Sequence, residues 1–260
     1  MPALLDVEKA LCQMAPMELA MERDNVGFLV GRPDREASKI LVALDITENV
    51  AEEAVRMGAN LIVAHHPVMN CAWSPVQSIR NDRLQGRLLL KLIENGIAAI
   101  CMHTNLDRAG GGVNDALAAR LGLKDVEKLP GGDDILRMGG LPGEMALPAF
   151  LQWVKAAINP NGIRFVDGGK PVRRVAVGGG ACGDYFRAAA ENGCDAFVTS
   201  DVSYHEFMDA QAMGLTLVDA GHFPTEDVVC PVLVEYLREK FPGLAVEKSA
   251  SHREVIQYYV

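Results

Sequence analysis

The chain has 260 residues, which allows one large domain or two of ordinary size. An apolar fraction of 49% suffices for a sizeable core, and a formal net charge of −9 argues against non-specific binding to nucleic acid or an anionic membrane, both of which need basic patches. The six cysteines, Cys12, Cys71, Cys101, Cys182, Cys194 and Cys230, include no Cys-x-x-Cys pair, and several lie in apolar runs, so buried thiols in a reducing compartment are expected. No basic region leads an apolar core at the N-terminus and no apolar run reaches membrane-spanning length; the expectation is a cytoplasmic protein.

Leu4–Met14 carries apolar residues at helical spacing, with Asp6 and Glu8 suiting the dipole of its first turn. Asp24-Asn25-Val26-Gly27 reads as a turn into a short strand, Phe28–Val30. Ile40–Leu44 reads as a buried strand ending in Asp45. Thr47 caps a helix over Glu48–Met57, and Gly58 closes it. Leu61–Ala64 is the next buried strand, and it runs into His65, His66 and Pro67. Pro67 cannot donate to a ladder, so the histidines sit at the carboxyl end of the strand, where open α/β sheets place ligands. Neighbours on a strand point to opposite faces, so both rings meet at one place only if the chain turns there. The plainer reading has one histidine capping the strand and the other in water.

Cys71–Asn81 is expected as a loop, Arg83–Glu94 as a helix, and Ile97–Met102 as a strand ending in His103. Gly110–Gly112 is a turn, and Val113–Leu121 a helix. This alternation of strand and helix is that of a parallel sheet. Leu129–Pro148, rich in Gly and Pro, marks an expected boundary. It divides a first α/β domain, residues 1–125 plus 230–260, from a second, residues 126–229. Pro148–Ile158 is a helix, and Arg174–Val177 a strand running into the glycine-rich stretch Gly178–Gly183.

From there the chain repeats itself. Val175–Val177 matches Leu41–Ala43, and Gly193–Thr199 matches Gly58–Ala64, which sets Ser200-Asp201 against His65-His66. Helix His205–Met213 and strand Leu215–Asp219 follow, and the strand ends in Ala220-Gly221-His222, against His103. Two related α/β halves carry polar residues at corresponding strand ends. The competing reading is chance likeness among strand–helix–strand units. Pro231–Lys240 is a helix, and Ala245–Lys248 and Glu254–Val260 are expected as closing strands rejoining the first half.

Five of the six histidines, His65, His66, His103, His205 and His222, lie at or just after strand ends; His252 is the other. Asp107 follows His103 by four residues, and Glu226 follows His222 by four. Imidazole and carboxylate ligands suit divalent Zn, Mn, Fe, Co or Ni. The set exceeds the need of one tetrahedral ion and suits two ions sharing a bridging carboxylate. The Gly178–Gly183 stretch lacks a dinucleotide fingerprint or a P-loop Lys-Ser/Thr and reads as a tight turn, with close approach to a ligand as the minority reading. No Gly-x-Ser-x-Gly is present, which argues against a serine hydrolase.

Asp24-Asn25-Val26-Gly27, Ala43-Leu44-Asp45, Ile62–Pro67, His103-Thr104-Asn105-Leu106-Asp107 and Asp219–Glu226 resemble the Nif-three-like family, the type 2 GTP cyclohydrolase I homologues or dinuclear metal centre proteins. The resemblance runs over nearly the whole chain. It implies two similar α/β domains, the first completed by the C-terminal segment, with a dinuclear metal site in the cleft between them and six copies in a hollow toroid. The family's metal ligands fall on His65, His66, Asp107, His222 and Glu226, and further site histidines, catalytic or supporting the ligands, on His103 and His205. Two functions stand open. One is a metal-dependent hydrolase, with two divalent ions per chain, acting on a small nucleotide-like or phosphorylated substrate. The other is a non-enzymatic metal-binding scaffold or regulatory adaptor.

Overall fold

The computed structural model of the chain describes residues 1–70 and 75–259; Cys71 and Trp73, placed by the sequence in a loop after the His pair, lie outside the described residues. In chain order the elements begin with α1 (Leu4–Met14), β1 (Gly27–Val30), β2 (Lys39–Ala43), α2 (Glu48–Met57), β3 (Leu61–Ala64), α3 (Leu84–Glu94), β4 (Ala98–Cys101) and the short α4 (Thr104–Arg108). Next come α5 (Val113–Arg120), β5 (Lys124–Lys128), β6 (Arg137–Met145), α6 (Leu147–Ile158), β7 (Arg164–Val166) and β8 (Val172–Val177). A 3-10 turn leads into α7 (Phe186–Glu191), then β9 (Ala196–Thr199), α8 (Tyr204–Ala212), β10 (Thr216–Asp219) and α9 (His222–Glu226). The chain closes with α10 (Val229–Lys240) and β11 (Ala245–Lys248).

Two compact units result: Met1–Gly110 with Cys230–Arg253, and Gly111–Val229 with the segment from Glu254 onward. The division lies at Gly110, ahead of α5, rather than at residue 125. The reason is packing: Leu117, Ala118, Leu121 and Leu123 are buried among Phe150, Val154, Val175 and Val198 of the second unit.

In the first unit, among the described residues, five strands lie in the order β1-β4-β3-β2-β11. Strands β11, β2, β3 and β4 run parallel, and β1 is antiparallel to β4. The three inner strands are buried along their length, as their Leu, Ile, Val and Ala content requires. The Thr47 hydroxyl accepts from the Val50 amide at 3.2 Å, and Gly58 closes α2 at φ 70°. Such a cap contributes about 1 kcal/mol.

In the second unit six strands lie in the order β5-β6-β8-β9-β10-β7, with β8, β9 and β10 parallel and β7 antiparallel to β10. The repeat seen in the sequence has a structural counterpart. In each unit three consecutive parallel strands, β2-β3-β4 and β8-β9-β10, have an antiparallel strand beyond the third; the first unit adds β11 parallel to β2. Ile40 pairs with Leu61, and Val175 with Ala196, at equal separation along the chain. Helices α4 and α9 each begin three residues after the strand before them. His222 therefore opens α9 where Thr104 opens α4, and His103 stands one residue earlier, so the His103–His222 correspondence is shifted by one.

Two readings of the sequence are corrected. The Leu129–Pro148 stretch holds β6, a nine-residue strand whose Gly139, Gly140 and Gly143 disguise it, preceded by the fully exposed and highly charged β5. The tail from Glu254 to Tyr259 forms no strand; it lies on the second unit, where Asn161 Nδ2 donates to the Ile256 carbonyl at 2.7 Å.

Candidate metal centre

In the first unit the Leu44 carbonyl accepts from both the His65 amide (3.2 Å) and the His66 amide (2.9 Å). Two consecutive donors on one acceptor turn the chain at the strand end. The rings of His65 and His66 consequently come within 4.9 Å, centroid to centroid, instead of pointing to opposite faces. His103 joins them at 5.1 Å from His65 and 5.6 Å from His66. These three residues offer ligand atoms that all lie within 4.8 Å of one another. Asp107, buried on α4, brings Oδ1 to 3.6 Å from Nε2 of His65.

Each ring is aimed by an oxygen. Nδ1 of the fully buried His65 donates to the Met102 carbonyl at 2.8 Å. Nδ1 of His66 meets Asp45 Oδ1 at 2.7 Å, and Nδ1 of His103 meets both oxygens of Asp24 at 2.9 and 3.0 Å. Asp24 also accepts from the Thr104 amide (3.1 Å) and hydroxyl (2.5 Å). Burial opposes ionisation of Asp24, but the bonds from His103 and Thr104 outweigh it and hold the carboxyl well below its usual range. Asp45 is held low in the same way, against burial, by His252 and His66.

In the second unit, Nδ1 of His222 meets Asp201 Oδ2 at 2.6 Å, and Nε2 lies 3.0 Å from Glu226 Oε2, one turn along α9. Burial works against a charged His222; the Asp201 and Glu226 carboxylates overcome it and push its pKa up to about 11. The place demands positive charge, a demand that a divalent cation meets as well as a proton does. The glycines after β8 close over this pair. The Gly180 amide donates to the Thr225 hydroxyl at 3.0 Å, and Thr225 Oγ1 donates back toward the start of α9. His205 is exposed in the first turn of α8 beside Tyr204, at 5.4 Å between ring centroids; among the described residues it joins no group of converging ligand atoms.

The pattern of aiming oxygens decides the chemistry. A carbonyl or carboxylate at Nδ1 keeps the proton there and leaves the Nε2 lone pair outward, the form in which imidazole binds a metal. The histidine and glutamate groups thus suit a borderline divalent ion. Sequence reasoning placed Asp45 and Asp201 at strand ends and Asp24 in a turn, without seeing that they orient histidines. It set His252 apart from the site, whereas its Nε2 lies 3.2 Å from Asp45 Oδ2.

The family model described as Duf34/NIF3 (NGG1p interacting factor 3) matches residues 2–254. The chain belongs to the Duf34/NIF3 family. A protein of Clostridium perfringens called "GTP cyclohydrolase 1 type 2 homolog" is 34% identical over 243 residues, covering 91% of this chain and 92% of its own. One of the same name from Streptomyces coelicolor is 36% identical over 250 residues, covering 92% of this chain and 87% of its own. The crystal structure of a Bacillus cereus protein related to NIF3 superposes with a TM-score of 0.91 at 27% identity, covering 100% of this chain and 99% of that one. A Duf34/NIF3 chain with two α/β sheets is therefore the frame in which the histidines are to be read.

Proposed function

We propose that this protein is a metal-dependent hydrolase of a small nucleotide-like or phosphorylated substrate. In this reading two divalent ions are held by His65, His66 and Asp107 of the first unit and His222 and Glu226 of the second. The observation that carries it is the aiming of the rings: His65 and His66 each set Nδ1 against an oxygen, which leaves Nε2 for ligation, while His222 sets Nδ1 on Asp201 and turns Nε2 toward Glu226. Divalent ions bound there supply Lewis acidity and a water acidic enough to serve as nucleophile near neutral pH. His103 is the proton carrier. Its Nδ1–H is anchored on an ionised Asp24, so Nε2 accepts a proton and the resulting cation is stabilised by that carboxylate. His205, exposed on α8, is assigned to substrate approach. The name borne by the relatives points to a purine nucleotide as the first substrate class to try.

A metal-binding scaffold is the second reading, and burial favours it: His65 is 0% and Glu226 4% exposed, as in closed structural sites. Against it, His66, His103 and His222 each remain partly exposed, which leaves room for a substrate. The test is turnover of a nucleotide and phosphoester panel by protein reconstituted separately with Zn, Mn, Fe, Co and Ni, read by mass spectrometry. Metal-dependent loss of one class, abolished by His103→Ala, supports the hydrolase. Full metal occupancy with no turnover across the panel supports the scaffold. The same reading includes assembly of six copies.

A further inference from the structure

The glycines that follow β8 have an occupant. Gly180 is pinned on both sides: its amide donates to Thr225 Oγ1 at 3.0 Å, and its carbonyl accepts from the Ser200 amide at 3.1 Å and the Thr199 hydroxyl at 3.2 Å. The backbone there stands at φ +68°, where a glycine is at ease. A Cβ built on Gly180 would fall on the Glu226 carboxylate, closer than any non-bonded contact permits, and 3.3 Å from Nε2 of His222. A Cβ on Gly179 would lie 3.2 Å from Glu226 Cγ and 3.0 Å from the Thr225 carbonyl. Glu226 has little room to retreat, because it is 4% exposed and the neighbouring Thr225 is fully buried.

We propose that Gly180 is a positioning residue whose missing side chain forms the seat of the Glu226 carboxylate and so sets the His222–Glu226 pair for its cation. The backbone turn takes the volume that any other residue would fill, and its hydrogen bonds to Thr199, Ser200 and Thr225 prevent it from yielding. The cation part rests on the metal-dependent reading above; the seat itself does not.

The experiment separates the two. Gly193, at the end of α7, has φ +72° and nothing within 4 Å of an added Cβ, so Gly193→Ala reports backbone strain alone. Thermal unfolding of metal-stripped protein is measured for the parent, Gly180→Ala, Gly193→Ala, Glu226→Ala and Gly180→Ala/Glu226→Ala. Zinc affinity is measured by calorimetry for the parent and the two glycine variants. The expected result is a Tm for Gly180→Ala at least about 4 °C below that of Gly193→Ala, with the excess vanishing when Glu226 is already Ala. Zinc affinity falls about 10–100-fold in Gly180→Ala and stays at the parental value in Gly193→Ala. If Gly180→Ala does not fold, recovery of soluble protein in the double variant supports the seat and failure of both overturns it. Additive Tm losses overturn it whatever the parent binds. A parent that takes no zinc, with the thermal coupling intact, removes the metal reading and leaves the seat standing.

Discussion

Asp45 holds His66 by a 2.7 Å bond from Nδ1, and its other oxygen lies 3.2 Å from Nε2 of His252. One carboxylate thus lies between a candidate ligand and a histidine from the far end of the chain. Asp45→Asn keeps the shape, removes the charge and lets the His66 ring choose its tautomer. The expected outcome is an about 10–100-fold loss of metal affinity with two ions still bound at saturation. His252→Ala leaves the Asp45–His66 bond in place and is expected to retain both ions. Calorimetric titration of the two variants with zinc checks the order; a larger loss from His252→Ala than from Asp45→Asn would reverse the assignment.

Asp201 does for His222 what Asp45 does for His66, from a backbone at φ 54°. An aspartate tolerates that region better than most residues, at a cost of order 1 kcal/mol. Asp201→Ala is expected to weaken metal binding without abolishing it, whereas His66→Ala removes a ligand and at least one ion. Elemental analysis of both variants decides this, and equal loss would move Asp201 into the ligand set.

Glu226 offers two oxygens where an imidazole offers one nitrogen, so in the proposed two-ion site it would be the ligand to bridge. Glu226→Gln keeps the volume and removes the balancing charge. Loss of at least one ion is expected, with most of any hydrolase activity gone and a lower Tm in metal-loaded protein. Retention of two ions at parental affinity would remove the bridging role.

A pH dependence is expected where the chain leaves β11. Glu53 accepts from the Ser249 hydroxyl (2.5 Å), the Ala250 amide (2.9 Å) and the Ser251 amide (3.1 Å). Burial opposes its charge, but these bonds hold the carboxyl below its ordinary value. A depressed folded pKa means that the stabilisation is present above the unfolded value, about 4.3, and is lost as pH falls through the folded one. Exchange protection of the Ala250 and Ser251 amides should fade on acidification below about pH 4. Glu53→Gln should make that protection low and independent of pH in this range.

Assembly is checked by light scattering at micromolar protein. A mass several times that of one chain is expected, and a monomer would remove the toroid from the proposal.

Residues adjacent in the chain made much of this legible. Thr47 and Gly58 bound α2 because capping is local. The apolar run Leu61–Ala64 ahead of Pro67 ended β3 at the His pair, and the repeated strand–helix alternation announced two related sheets. The candidate ligands were equally plain, since His-His-Pro and an acid four residues after a histidine are short-range patterns. Where local pattern and tertiary need part company, the reading failed. Strand β6 looks like a linker because its glycines and proline carry no periodicity; it becomes a strand by pairing with β8. The tail from Glu254 to Tyr259 has strand-like composition, yet it has no ladder to join. The aiming of the rings was out of reach altogether. Asp24 lies 79 residues from His103, and Asp45 and Asp201 each lie 21 residues from the histidines they hold. A hydrogen bond needs only that two groups meet in space, so the sequence alone named the candidate ligands while the tertiary structure decided which nitrogen the histidines among them present.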